Sequence, residues 1–218
     1  MNGILVINKP KEWTSFDVVA KIRNKLGVKK VGHTGTLDPM ATGVLVLCLG
    51  KATKLAQEMT GYDKEYVAEI TLGATTPTDD AEGEITPFPG AKKKRKNEIL
   101  MALKDFEGEI EQVPPKFSAK KVKGKRAYTM ARKGQEFKLE SVKVKVHEME
   151  LLDYKWPVIK LRVLSGKGFY VRSLARDLGQ KLGTGGYLSA LQRSKVGPYN
   201  IAQATTIEEA STKNVTPI

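Results

Sequence analysis

The chain has 218 residues, 40% of them hydrophobic, enough to fill a real core in one large domain. Its 37 Lys and Arg against 24 Asp and Glu leave a net charge of +13, and two stretches carry that excess: residues 92–96 (KKKRK) with five cations and residues 116–133 with eight and no acid. Such a distribution suits a polyanion gripped locally, whereas a single Cys48 excludes a disulfide framework, two distant histidines argue against zinc, and no apolar run approaches the roughly 20 residues of a membrane span.

Residues 3–8 read as a short buried strand ended by Lys9 and Pro10, with no signal-peptide pattern in MNGILVINKP, so a soluble, cytoplasmic protein is expected. Thr14 or Ser15 then caps a helix whose apolar face is Val18, Val19, Ile22 and Leu26. Residues 32–50, GHTGTLDPMATGVLVLCLG, set a polar, glycine-punctuated loop against an apolar strand over 44–49. Within that loop Asp38 is the only carboxylate between Asp17 and Glu58, with basic neighbours at Lys29, Lys30, Lys51 and Lys54. Pro39 disfavours helical backbone at Asp38, so its side chain should project from a loop; taken alone, an Asp-Pro pair commonly just closes a turn. A short helix over 52–60 and a strand over 64–72 follow, with Tyr66 near the strand's start.

Residues 73–90 are turn-rich and hold Asp79, Asp80, Glu82 and Glu84, without the ligand order of an EF-hand. A helix is expected over 97–106 and an extended segment over 109–113, stopped by Pro114 and Pro115. In the basic stretch 116–133, Phe117 and Tyr128 interleave with lysines, a mixture suited to phosphates and stacked bases. Strands over 142–152 and 158–165 flank Trp156-Pro157 and should pair antiparallel. Gly166 and Gly168 lead into a helix over 169–182, with Arg172 off its apolar stripe, and residues 187–199 form the final strand region. Neither a P-loop nor a G-x-G-x-x-G occurs, so no phosphoryl donor or dinucleotide is implied.

The segment HTGTLDPMATGVL resembles the signature of the TruB family of tRNA pseudouridine synthases. The likeness continues through NKPKEWTSFDVV at 8–19, PPKFSAKKVKGKRAY at 114–128 and GFYVRSLARDLG at 168–179. The resemblance implies an α+β fold, a mixed, largely antiparallel sheet flanked by helices, forming a single catalytic domain over 1–218 with a basic thumb at about 114–134. It also implies isomerisation of the T-loop uridine U55 of tRNA, with Asp38 as nucleophile, Tyr66 against the target base, and Arg172 of the Tyr170-x-Arg172 motif paired with the nucleophilic carboxylate. His33 would fill the space left by a flipped base, Lys9 would lie near the site floor, and Leu191 would wall the base. Thumb lysines Lys116, Lys120, Lys121, Lys123 and Lys125 would grip the stem-loop, with Lys54 a further basic neighbour of the loop. Asp80 falls in the family's Thr-Asp-Thr pattern, in which Pro77 replaces the first acid, and Gly186-Tyr187 stands where the family usually has His.

No cofactor or metal is implied, a monomer is expected, and the roughly twenty residues after Tyr199 are too few for the C-terminal PUA-like module of bacterial members. The alternatives are a non-catalytic RNA-binding protein on the same scaffold and a synthase acting on another RNA. The presence of Asp38, Tyr66 and Arg172 favours an enzyme, and residues 92–96 are expected to matter less for RNA than 116–133.

Overall fold

The computed structural model describes residues 1–118, 120–122 and 124–218, and the chain divides into two compact units, Met1–Val67 with Leu191–Ile218, and Ala68–Ala190. The first unit opens with β1 (Gly3–Lys9), α1 (Ser15–Leu26), β2 (Val31–His33) and β3 (Thr42–Leu49). Thr14 caps α1: its Oγ1 accepts from the Asp17 amide at 3.1 Å while Asp17 accepts from the Thr14 amide at 2.9 Å, so two helix-start donors are satisfied reciprocally. β1 and β3 pair antiparallel from Gly3↔Leu49 to Lys9↔Gly43. Strand alternation sends Leu5, Ile7, Leu45, Leu47 and Leu49 to one face, against Val18 and Ile22 of α1. Ile4, Val6, Val44, Val46 and Cys48 go to the other, against Ala52, Met59 and Val196. Both faces are covered, which is why residues 44–49 read as a continuous apolar run instead of alternating. The helix expected over 52–60 is split into a 3-10 turn (Gly50–Leu55) and α2 (Ala56–Met59), and β4 (Lys64–Leu72) follows.

Beyond β4, the second unit contains a two-stranded ribbon, β5 (Ala74–Thr75) with β6 (Thr86–Pro87), then α3 (Lys96–Lys104) and β7 (Gly108–Gln112). The basic stretch holds more regular structure than its composition suggests: β8 (Lys121–Val122) pairs with β9 (Lys125–Arg126), and α4 (Ala127–Arg132) follows directly. β10 (Val142–Lys155) and β11 (Val158–Ser165) form the expected antiparallel pair around a cis Trp156–Pro157 bond, and β7 lies antiparallel on the other edge of β10. α5 (Val171–Lys181) buries Leu174, Ala175 and Leu178 completely. Arg172 is buried as well, against the expectation from its place off the apolar stripe. β12 (Gly186–Val196) then runs back into the first unit.

There β13 (Tyr199–Asn200) turns back on β12, and β14 (Thr216–Pro217) pairs with β1, giving the order β14-β1-β3-β12. Of the ladders described, only β3 with β12 is parallel, with Gln192↔Thr42 and Arg193↔Gly43 in register. The protein is therefore a mixed α+β fold built on a large, mostly antiparallel sheet. At the parallel seam Gly43 has φ 101, and a Cβ on it would lie 2.9 Å from Arg193 N and closer still to the Arg193 carbonyl oxygen. Only glycine fits this backbone and this spacing. Replacing Gly43 with Ala is expected to destabilise the fold by about 2–4 kcal/mol through strain and overpacking. Urea titration checks this, and an unchanged midpoint would refute the account of the seam.

Candidate active site

Asp38 lies between β2 and β3 of the first unit, on a loop clamped from beneath. Ser15, buried at the start of α1, accepts from the Leu37 amide at 2.9 Å and donates to the Leu37 carbonyl at 3.2 Å. Lys9, also fully buried, donates from Nζ to the carbonyls of Pro10 at 2.9 Å, Trp13 at 2.6 Å and Pro39 at 3.3 Å. A strand-end lysine is ordinarily a surface residue; this one directs its charge at three carbonyl oxygens, which makes its burial tolerable. The Glu12 amide adds a bond to the Pro39 carbonyl at 2.8 Å, and the Ala41 amide bonds to the Asp38 carbonyl at 3.0 Å. The turn at Asp38 is thus closed by backbone, with the residue half-buried.

Arg193, on β12, organises the charge in this unit. It is fully buried, and its guanidinium donates to the carbonyls of Val44 at 2.8 Å, Thr36 at 3.3 Å and Gly35 at 3.0 Å. These bonds hold the loop on the N-terminal side of Asp38 and the strand on its C-terminal side. Burial works against the guanidinium's charge, while Tyr66, hydrogen-bonded to it, and the Asp38 carboxylate both favour that charge. Burial pushes the Tyr66 phenol up, Arg193 pulls it back, and Asp38 raises it further. Asp38, Arg193 and Tyr66 therefore form one electrostatic group: an acid and a buried phenol sharing the field of a buried cation. Sequence reasoning missed Arg193, whose only signal was a charged side chain in an otherwise packed strand.

Two further groups share that field. Burial, then Arg193, lowers the His33 pKa, so its imidazole is neutral near pH 7. Its Nδ1 accepts from the Gly35 amide at 3.3 Å, which places the proton on Nε2, and its ring meets exposed Phe16 edge-on at 5.7 Å. Lys64, 8% exposed, donates to the carbonyls of Thr60 at 2.9 Å and Tyr62 at 2.6 Å. Burial first and Arg193 second bring its pKa down to about 8, with Asp63 opposing. A Cβ on Gly35 would lie 3.6 Å from both Lys64 Cε and Arg193 Nη1, so both cations pack under the loop that precedes Asp38. Leu191 packs at the edge of the same core, and Lys54 is exposed on the 3-10 turn.

In the second unit Arg172 forms an ion pair with Asp80 at 3.5 Å, both side chains being nearly inaccessible, and donates to the carbonyls of Phe117 at 3.0 Å and Thr78 at 3.4 Å. Asp80 also accepts from Thr78 Oγ1 at 2.6 Å and the Glu82 amide at 3.0 Å. The Thr-x-Thr-x-Asp pattern thus keeps a structural logic without the acid that Pro77 replaces. Beside it Asp79, in left-handed backbone (φ 61), pairs with Arg176 at 3.1 Å. Tyr170 precedes α5 and exchanges bonds of 2.8 and 3.1 Å with the Gln112 side chain. Lys116, Lys120 and Lys125 are exposed, as a phosphate grip requires; Lys121 lies on β8, and Lys123 is outside the described residues. Among the described residues no three of His, Cys, Asp and Glu gather as a metal site would need, and no helix is long and apolar enough to cross a membrane.

Comparison with known proteins matches residues 23–171 to the N-terminal domain of TruB family pseudouridylate synthases and residues 172–215 to the tRNA pseudouridylate synthase B C-terminal domain. The chain is 48% identical over 212 residues to the tRNA pseudouridine synthase B of Parabacteroides distasonis, covering 94% of this chain and 90% of that protein. To the protein of the same name in Symbiobacterium thermophilum it is 49% identical, covering 96% of this chain and 71% of that one. A chain from the crystal structure of a Cbf5-Nop10-Gar1 complex aligns at TM-score 0.75 and 31% identity, over 95% of this chain and 53% of that one, so the protein spans about half of that solved relative.

The Lys64 amine gives the site a pH signature. Its pKa is about 8 in the fold against 10.5 when free, so between those values the unfolded chain binds more protons and stability rises with pH. Relative to a Lys64→Met variant, the wild type should gain stability from about pH 8 to 10.5, with the difference flat below pH 7. Paired urea titrations across that range check the sign; a constant difference would mean that Lys64 is not desolvated.

Proposed function

The chain belongs to the TruB family of pseudouridylate synthases, and from that membership we propose that it isomerises uridine to pseudouridine in the T loop of tRNA, at the position conventionally called U55, with Asp38 as the catalytic carboxylate. The arrangement that carries this reading is Arg193, which bonds the carbonyls of Gly35, Thr36 and Val44 around the Asp38 loop and is hydrogen-bonded to Tyr66. A positive charge that cannot leave, acting on a half-exposed acid, favours the ionised acid.

The reaction breaks the N1–C1′ bond of uridine, turns the uracil and rejoins it through C5, with loss of the C5 proton; no electrons are exchanged with a partner. Asp38 can enter by attack at C1′, by promoting elimination to a glycal, or by addition to C6, and each route needs the carboxylate anionic. Tyr66 supplies an aromatic face to the uracil and a hydroxyl whose raised pKa keeps it protonated at neutral pH. A base inside a folded loop must first be flipped out, at about a few kcal/mol. His33, neutral and edge-on to Phe16, is suited to replacing it in the stack, and Leu191 to lining the apolar wall. Arg172 is assigned to catalysis by its Tyr-x-Arg motif, and the exposed thumb lysines Lys116, Lys120 and Lys125 to the phosphates of the T stem.

A purified tRNA transcript incubated with the protein, then mapped for pseudouridine by mass spectrometry, tests the assignment. Modification elsewhere or none at all would overturn it. Asp38→Asn should keep the fold and RNA binding and lose turnover, because the amide preserves shape without the nucleophilic charge; activity within about tenfold of wild type would remove Asp38 from the mechanism. Arg172→Ala should abolish activity and also cost about 3–5 kcal/mol by leaving Asp80 buried and unpaired. Melting and kinetic measurements on the same preparation separate the two effects. Tyr66→Phe retains the ring, so an inactive Phe variant would assign the chemistry to the hydroxyl.

A further inference from the structure

A second basic element remains outside that account. Residues 92–96 are expected from the sequence to matter less for RNA than 116–133, yet in the second unit residues 93–96 and 154–156 line one open groove of about 720 Å³. The run is held in place. The Tyr154 hydroxyl at the end of β10 donates to the Lys94 carbonyl at 2.5 Å, and the Arg95 amide donates to Glu98 at 2.9 Å as α3 begins. The lysines therefore project from a fixed backbone at a helix start, where unpaired N–H groups add positive potential.

We propose that this groove is a second phosphate-backbone site for the RNA substrate, additional to the 116–133 segment; the inference rests on the reading that the substrate is RNA. Charge and shape both favour a polynucleotide. Lys93, Arg95, Lys96 and Lys155 are exposed, and Arg95 keeps 89% of its side chain accessible even while paired with Glu98. The acids nearby in sequence, Glu98 and Asp153, are outnumbered by the cations. Trp156 lines the same groove half-buried, with its ring 3.9 Å from where a Cβ on Gly73 would stand. A half-buried indole among cations fits a base stacked beside its own phosphates, since aromatic stacking and backbone charge together hold exposed strands. An acidic protein segment would use the cations but gain little from the indole.

The test measures tRNA affinity against salt for the wild type and for a Lys93→Ala, Lys94→Ala, Lys96→Ala triple variant, with melting curves for both. The slope of log affinity against log salt should fall by about 2.1–2.7, near 0.7–0.9 for each of the three phosphates that are no longer neutralised, with KM raised and kcat within about twofold. Should the triple variant not fold, Lys155→Ala, exposed at the strand end, should lower the slope by about 0.7–0.9 alone. Trp156 is one of two tryptophans, so a Trp13→Phe background makes it the sole indole reporter. Its fluorescence should be quenched by tRNA and not by polyglutamate at the same salt. Unchanged slopes and no quenching in a preparation that still makes pseudouridine would overturn the groove assignment alone, and equal quenching by polyglutamate would reassign the groove to acidic protein. Binding and quenching without pseudouridine formation would instead count against the proposed function and leave the groove standing.

Discussion

A guanidinium without access to water must find partners inside the protein, and the first unit is arranged around that requirement at Arg193. Its donors go to the carbonyls of Gly35, Thr36 and Val44 and to the Tyr66 hydroxyl, so one side chain joins β12 to a loop, to β3 and to the start of β4. Removing any partner would leave a buried donor unsatisfied, a cost of roughly 1–3 kcal/mol and more when the group is charged. The cation's burial is what keeps Asp38 in an undiluted field, because a surface arginine would be screened by water and salt. Gly43 follows from the same requirement: the parallel seam brings Arg193 backbone so close to β3 that no side chain fits opposite it.

Lys9 and Lys64 extend the pattern. Each is a buried ammonium satisfied by backbone carbonyls, Lys9 beneath the chain that follows Asp38 and Lys64 beneath the chain that precedes it. The loop is gripped on both sides by positive groups, and the proximity of Arg193 adds to desolvation in depressing the Lys64 pKa. Holding like charges together is unfavourable by itself. It persists because the two-faced core of β1 and β3, packed against α1 on one side and against Ala52, Met59 and Val196 on the other, offsets the destabilisation of such a site.

The second unit solves a similar problem with acids. Asp80 and Asp79 take Arg172 and Arg176 from the first turns of α5, so two successive carboxylates in one turn fix two arginines on one helix. Arg172 and Arg176 stand at i and i+4, so both face the same side of the helix, and the helix face that buries Leu174, Ala175 and Leu178 is left to the core. This is also why Arg172 is buried although it stands off the apolar stripe.

Local chemistry made several features legible in the chain: an α1 cap at Thr14 or Ser15, of which the fold uses Thr14, the buried strand over 44–49, the antiparallel pair β10 and β11, and the α5 helix to within two residues; resemblance through four ordered motifs added the family. Each rests on period, capping chemistry, proline and glycine placement, or contiguous strings. Which charges are buried, and with whom, was settled only by the fold in three dimensions. Nothing near Arg193 in the chain marks it as the partner of a loop 158 residues earlier, nothing around Lys9 shows which carbonyls take its charge, and nothing within residues 92–96 shows that Tyr154 holds them from a strand 60 residues away. Burial of a charge depends on what the fold brings around it, and a long-range partner leaves no periodicity in a single sequence.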